Sequence, residues 1–288
     1  MGSRRSLRYH RPVAASAATR RILPESLGWL TSHRELLLTL LRRELRARYK
    51  SSFFGVLWSY LQPMLMMIVY WLVFSVLLRA TGGIHNYPQF VLTGLAVWTF
   101  FQGGVVYGAA SLVANGELMK KVWFPRPVIP TAVVLAQVTT SLVMFAVIVP
   151  ANLITLPNTL RTCLLAIPML FGLLMLTLGL AWALATLNVF YRDIEHLLTV
   201  LFLPWFFLTP VFYSLESIPA AADSASVVTI LRYANPVTPY VEGIRGALWN
   251  GVIVGPAELI YMAVVGPSAA AFGLWVLRRY EDRLAVEL

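Results

Sequence analysis

Six long uncharged stretches, separated by short charged segments, dominate the pattern of polar and apolar residues along the chain. They cover Phe53–Leu78, Ala80–Gly116, Pro127–Leu160, Thr162–Tyr191, His196–Leu215 and Leu259–Leu277. An α-helix needs about 20 apolar residues to cross a bilayer. One Arg, Lys or Asp at the middle of the bilayer costs about 2.5–3.5 kcal/mol on insertion scales. The pattern therefore predicts an all-α integral membrane protein with six transmembrane helices over residues 53–277.

The segment before the first stretch has a different pattern. Leu37, Leu41 and Leu45 recur every fourth residue over residues 29–50, and arginines occupy many of the positions between them. This spacing predicts an amphipathic helix that lies along the inner membrane surface, with its leucines in the headgroup boundary and its arginines toward anionic lipids. In the alternative interpretation, the basic residues only orient the chain. Residues 1–28, rich in Arg, Ala and Ser, predict a flexible basic tail.

The fifth stretch and the segment after it are irregular. The predicted span His196–Tyr213 is barely long enough to cross and contains Pro204 and Pro210. The segment Ser214–Pro256 is too apolar for a solvated loop and too broken for a span, so it predicts short re-entrant or interfacial helices at the outer mouth. An ordinary extracellular cap is the alternative. Residues at helical spacing that would form an outer gate are Tyr240, Val241, Ile244 and Leu248.

Composition and charge support a membrane location. The chain is 58% hydrophobic and 12% charged, against about 25% charged in soluble domains. With the N-terminus inside, six spans place nineteen of the 23 Lys and Arg residues on the cytoplasmic side. This asymmetry predicts that both termini, including the short tail 278–288, are cytoplasmic. The net charge of +10 therefore follows the membrane and does not indicate nucleic-acid binding.

The sequence also lacks the motifs of several functional classes. It contains no G-x-x-x-x-G-K-[ST], H-E-x-x-H or G-x-S-x-G pattern. No acidic residue falls at the middle of a clear span, where ion-coupled carriers place such groups. We therefore expect the chain itself to bind no nucleotide, metal or other cofactor, and we expect a partner to supply the energy.

Aromatic residues are concentrated in the first two spans. Such residues often form a belt at the membrane interface. Several lie one or two turns inside the ends, however, and aromatic faces stack on sugar rings, so they are also candidates for the lining of a carbohydrate channel. These residues are Trp58, Tyr60, Tyr70, Trp71, Trp98, Phe101 and Tyr107.

Two inner segments are predicted to dock a partner. The loop at residues 115–127 places large aromatic residues next to lysines, where a simple turn would use small polar residues. Span four ends in a compact turn that contains Arg192 and Asp193. Both segments fall on the side assigned to the cytoplasm.

Four sequence blocks carry a resemblance to a known family. Residues 46–63 read RARYKSSFFGVLWSYLQP, and residues 118–130 read LMKKVWFPRPVIP. The first resembles R-Y-K-x-S-x-L-G-x-x-W-x-x-x-x-P, except that Phe54 replaces the usual Leu. The second resembles K-K-x-x-F-P-R-x-x-x-P. The third block is YRDI from Tyr191 together with TPVFY from Thr209, and the fourth is the pair Asn235-Pro236. Over residues 33–288 the chain resembles the membrane subunit of bacterial polysaccharide-exporting ABC transporters, the type-2 permeases for O-antigen, teichoic acid and capsule.

The resemblance implies a homodimer of this chain together with two copies of a separate ABC ATPase, which binds ATP and Mg. It implies that a lipid-linked, O-antigen-like glycan moves outward across the bacterial inner membrane through a channel between the two permease copies. It further implies a set of residues for ATPase coupling and the inner gate. These are Arg46, Arg48, Tyr49, Lys50, Lys120, Lys121, Phe124, Arg126, Arg192 and Asp193.

Two other functions remain open at this point. A type-2 ABC permease for a lipid or a drug would share the architecture and differ only in substrate. A membrane enzyme acting on lipid-linked sugars would need clustered acidic or His residues on its loops. The inner loops offer only Glu117, Asp193 and Glu195, with no D-x-D pattern.

Overall fold

The computed structural model describes residues 33–50, 52–79, 81, 83–121, 124–217 and 225–287. Every regular element within these ranges is helical, which confirms the all-α prediction. The predicted basic tail at residues 1–28 lies outside the described residues.

Ten α-helices follow one another along the described chain. They are α1 (Arg34–Tyr49), α2 (Trp58–Tyr70), α3 (Tyr87–Ala114), α4 (Gly116–Lys121), α5 (Val128–Thr155), α6 (Ala166–Phe190), α7 (Ile194–Leu208), α8 (Ala225–Ala234), α9 (Thr238–Arg245) and α10 (Pro256–Glu287). Wider π-helical turns extend α2 over Trp71–Leu77 and α9 over Gly246–Asn250.

Five helical segments of the described chain are long and apolar enough to cross a membrane. They are Gly55–Leu77, Tyr87–Ala114, Val128–Thr155, Cys163–Phe190 and Pro256–Leu284. The predicted span His196–Tyr213 differs, because its helix α7 has only 15 residues. At about 1.5 Å per residue it covers roughly 22 Å, less than the ~30 Å of hydrocarbon. The chain leaves the helix at Thr209 and continues as buried, non-helical backbone through Phe212.

The centre of the bundle is α3, which packs against α5 and α6, and α6 runs along α10. Glycines allow the close contact between α6 and α10. A Cβ on Gly179 would collide with the carbonyl of Ala269, and one on Gly273 would collide with the carbonyl of Gly179. The two backbones therefore touch at this crossing, as is common where small residues line helix interfaces in membranes.

Helix α1 rests on protein along one face. Leu40 is buried, and Leu36 and Leu37 pack on the same cluster, which includes Phe124 and Leu284. Leu37 of the predicted leucine stripe therefore packs against protein, whereas the prediction placed it against lipid.

The segment before α10 contains the short helices α8 and α9. The four residues predicted to form an outer gate are packed inside the bundle: Tyr240, Val241, Ile244 and Leu248 are all buried. The hydroxyl of Tyr240 donates a 2.8 Å hydrogen bond to the carbonyl of Met262 on α10. These side chains pack α9 against the bundle, and their role as an outer gate stays a prediction.

Candidate functional site

A polar groove of about 480 Å³ lies among α1, α2, α3 and α5. Its polar lining consists of Arg48, Tyr49, Ser59, Gln62, Thr99, Gln102, Gln137, Thr140 and Ser141, and its aromatic lining of Trp58 and Tyr107. Because carboxylates are absent from this lining, the groove presents one fixed positive charge among neutral amides and hydroxyls.

A tight turn brings α2 back beside the end of α1. The chain leaves α1 at Lys50 in an extended conformation. Gly55 then adopts a positive φ of 50°, and its N–H donates a 3.1 Å bond to the hydroxyl of Ser52. Only glycine takes this left-handed conformation without a steric penalty. The turn therefore places Trp58 and Ser59 across from Arg48.

Arg48 is the centre of the groove. Its guanidinium donates a 2.5 Å hydrogen bond to the side-chain oxygen of Gln137 and lies 4.8 Å from the centroid of the Tyr107 ring. The amide of Gln137 donates in turn to the carbonyl of Thr99 at 3.3 Å. Among the described residues Arg48 forms no ion pair with a carboxylate. Its unused donors can therefore bind an anionic or hydroxyl-rich ligand.

Neighbouring contacts hold this arrangement in place. The hydroxyl of Tyr49 lies 2.7 Å from that of Ser59 and 3.2 Å from that of Thr140, so it ties α1 to α2 and α5. Gly103 leaves room for Gln137, because a Cβ there would lie 2.8 Å from the amide nitrogen.

The structure separates the aromatic residues predicted to line a channel. Trp58 and Tyr107 line the groove. Trp98 and Phe101 do not, since they are 2% and 0% exposed and pack on α7. The indole N–H of Trp98 nevertheless donates a 3.0 Å bond to Gln102 and so contacts a groove residue.

The remaining three aromatic candidates lie elsewhere on α2 and its π-helical extension. Tyr70 stacks on Phe212 with ring centroids 5.1 Å apart. Tyr60 also packs against the buried hydrophobic cluster that contains Phe212. Trp71 is exposed on the outside of the bundle.

The residues predicted for ATPase coupling also divide into groups. Arg48 and Tyr49 belong to the groove. Phe124 and Arg126 are buried and hold the 115–127 loop in place. The backbone N–H of Arg126 donates to a carboxylate oxygen of Glu281 at 3.3 Å, and its guanidinium donates to the carbonyl of Phe124. The exposed members are Arg46, Lys50, Lys120, Lys121, Arg192 and Asp193.

Sequence reasoning missed the amide side chains of the groove. Gln62, Gln102 and Gln137 all line it. The available signal was a glutamine inside an otherwise apolar span, because polar side chains in membrane helices usually face protein or water. Asn115 was missed too. It accepts a hydrogen bond from Arg43 and so links α1 to the loop that contains α4.

A second charged cluster surrounds α9. Arg232 bonds to Glu242 at 2.9 Å and to Glu258 at 3.4 Å. Arg245 is buried, with a 2.6 Å bond to the carbonyl of Pro210 and its guanidinium 3.8 Å from the Phe90 ring centroid. Burial lowers the pKa of Arg245 to about 10, against the opposing effect of Glu242. It therefore stays protonated at neutral pH.

Burial also acts on the neighbouring carboxyl group. It raises the pKa of Glu242, and the positive charges of Arg232 and Arg245 partly offset this effect. Removing either arginine is therefore expected to favour the neutral form of this side chain.

Comparison with known protein families and sequences finds matches over most of the chain. Residues 35–249 match the family described as ABC-2 type transporter. The chain is 34% identical over 259 residues to the O-antigen export system permease protein RfbA of Myxococcus xanthus, covering 88% of this chain and 95% of that protein. It is 31% identical over 261 residues to the protein of the same name from Klebsiella pneumoniae, covering 90% and 96%.

A more distant relative is the polysialic acid transport protein KpsM of Escherichia coli. It is 24% identical over 254 residues, with 85% of this chain and 93% of that protein covered. The matches extend over nearly the whole length of each relative, and the family match includes the groove and the two segments predicted to dock a partner. The resemblance inferred from the four sequence blocks is confirmed: the chain belongs to the ABC-2 type transporter family of membrane permeases.

Proposed function

We propose that this chain is the permease subunit of an exporter that moves a lipid-linked, O-antigen-like polysaccharide across the bacterial inner membrane. Two relatives of almost equal length are named O-antigen export permeases, and a third is named for polysialic acid transport. Like them, the chain is a transporter membrane subunit and not an enzyme.

The observation that carries this proposal is the Arg48 groove. A glycan presents many hydroxyls, and its lipid linkage is anionic where it contains phosphate. Arg48 offers unused charged donors, the glutamines donate and accept, and Trp58 and Tyr107 supply aromatic surface. A drug or simple lipid carrier would favour a mainly apolar pocket, so the groove favours the glycan over that alternative.

The channel is proposed to lie between two copies of the chain. The segment Gly55–Leu77 is the least buried of the five long ones, with 6% of its most apolar window buried, against 22–67% in the others. It also carries one side of the groove. A second copy facing α2 would enclose the groove between subunits, whereas lipid there would leave Arg48 close to hydrocarbon, where charge is costly.

The proposed topology keeps six crossings and both termini in the cytoplasm. The charge asymmetry of the sequence supports this orientation. Helix α7 is short, but the buried stretch from Thr209 to Phe212 continues from its end. Non-helical backbone at membrane depth is tolerated where protein covers it, so the two together complete the fifth crossing.

Energy is proposed to come from two copies of a separate ATPase that binds ATP and Mg and docks on the inner face. The exposed residues Lys120 and Lys121 on α4, with Arg192 and Asp193 after α6, offer charged contacts. Motion at α4 can reach the groove through Asn115, because Arg43 joins this residue to α1, which ends at the groove.

The test replaces Arg48 with Gln in cells that lack the native gene, with Arg34→Gln as the matched control at the exposed start of α1. A charged hydrogen bond contributes about 1.5–3 kcal/mol, so surface glycan should fall about tenfold or more. Glycan should then accumulate inside the cell at unchanged permease abundance. Arg34→Gln should export normally.

Full export by Arg48→Gln would show that the groove does not bind the glycan. Normal surface glycan in cells without the gene, together with altered lipid export or drug sensitivity, would support the lipid or drug permease instead.

A further inference from the structure

A second cavity, of about 270 Å³, lies at the opposite end of the bundle from the inner loops. The start of α3, the chain after α7, the helices α8 and α9, and the start of α10 all contribute to its wall. The residues used below are Glu216, Arg232, Glu242, Arg245, Trp249 and Glu258. None of them belongs to the Arg48 groove, and the proposed topology places all of them outside the cytoplasm.

The charged groups of this cavity differ in whether they already have partners. Both arginines already have partners: Arg232 binds Glu242 and Glu258, and Arg245 binds a backbone carbonyl and the Phe90 ring. Three carboxylates face two guanidinium groups, so the formal charge of the lining is negative. Glu216 lies exposed at the mouth and forms no ion pair within the described part of the chain. The cavity therefore presents hydrogen-bond acceptors and repels anions.

Trp249 adds an unused donor. Its indole nitrogen is buried and has no hydrogen-bond partner among the described residues. The ring meets Phe90 edge to face, with centroids 5.1 Å apart. A buried donor without a partner costs free energy, which a sugar oxygen would recover if it displaced the atoms that cover the indole nitrogen.

We propose that this cavity is an outer subsite for an uncharged sugar unit of the exported chain. A sugar hydroxyl is both donor and acceptor, so it can donate to a carboxylate such as Glu216 while a neighbouring oxygen accepts from Trp249. An anionic sugar would bring a negative charge next to three carboxylates. The inference rests on the proposed function and narrows it, since relatives are named for both O-antigen and polysialic acid export.

The experiment places the photo-crosslinking residue p-benzoylphenylalanine at Asn250, an exposed position of the cavity wall. A second probe is placed at Gln102 in the Arg48 groove. The complete transporter is crosslinked in cells that make either an uncharged mannose polymer or a sialic acid polymer on the same lipid. We expect the mannose polymer to give an adduct at both positions. The sialic acid polymer should give about tenfold less adduct at Asn250, because like charges are rejected there.

Two variants test the residues themselves. Trp249→Phe removes only the indole donor and should lower the mannose adduct at Asn250 several-fold, while Trp275→Phe on the exposed face of α10 should leave it unchanged. Glu216→Gln should raise the sialic acid adduct.

The outcomes separate the two proposals. An adduct at Gln102 but not at Asn250 overturns the outer subsite and leaves the proposed function standing. Equal adducts at Asn250 with both polymers overturn the preference for an uncharged sugar. If Trp249→Phe has no effect, the indole donor does not bind the sugar, and the subsite as proposed is overturned. No adduct at either position overturns the proposed function itself.

Discussion

The close approach of Gln137 to Gly103 gives a sharp test of the groove. In Gly103→Ala the new Cβ would lie 2.8 Å from the amide nitrogen and 2.9 Å from the amide carbon of Gln137. Ordinary contacts between such atoms begin near 3.5 Å. Because the amide is the far end of a flexible side chain, it should move by roughly 0.6 Å or more while the helices stay in place. The 2.5 Å bond from Arg48 is then lost or weakened.

The expected magnitude follows from that bond. A hydrogen bond to a charged group contributes about 1.5–3 kcal/mol, which corresponds to about 10–100-fold in an equilibrium constant. Replacing glycine by alanine inside a helix gains about 0.5–1 kcal/mol. Gly103→Ala should therefore lower export about tenfold or more, while the melting temperature should fall only modestly because the gain in helix stability offsets part of the lost bond.

Gly104→Ala is the matched control. Its Cβ would collide with a methyl group of Thr177, which is fully buried on α6 and β-branched, so it cannot move aside. Helices α3 and α6 would have to separate, at a cost of about 1–3 kcal/mol. The assay measures surface glycan per membrane-inserted permease, with the melting temperature taken in detergent. Wild-type export by Gly103→Ala, or a large loss of its stability, would refute the reasoning.

Two further predictions concern packing and topology. Gly273→Ala should lower the melting temperature in detergent more than Gly103→Ala does, because its Cβ meets the backbone of Gly179 and α6 cannot yield locally. Equal stability of the two variants would contradict the close crossing of α6 and α10. A reporter fused at the C-terminus should be cytoplasmic and one inserted at His85 external, as the charge asymmetry requires. A C-terminal reporter on the outside would refute the six-crossing topology.

The long helices could be predicted from uncharged stretches alone. The second uncharged stretch, Ala80–Gly116, contains the observed helix Tyr87–Ala114. A chain that enters hydrocarbon must bond all its own backbone groups, so composition and length determine a helix there. The two prolines Pro204 and Pro210 also indicated that the fifth stretch is irregular, and the structure ends its helix at Leu208.

The groove could not be predicted in the same way. Arg48 and Gln137 are 89 residues apart, and their contact depends on how α1 and α5 pack. The resemblance implied a coupling role for Arg48, which stays a prediction, and it gave no indication that Arg48 contacts Gln137. Gln137 carried only a weak signal, since one glutamine hardly changes the hydropathy of a span.

The aromatic residues show most clearly why the sequence alone could not predict which side chains face the groove. Trp98 and Phe101 are enclosed by α7, whereas Trp58 and Tyr107 face the groove, although all four lie in equally apolar stretches. In a soluble protein, polar residues mark the outward face of a helix. In a membrane, lipid is as apolar as the protein interior. Hydropathy therefore determined which segments enter the bilayer, while the packing of one helix on another determined which face of each helix meets lipid, protein or substrate.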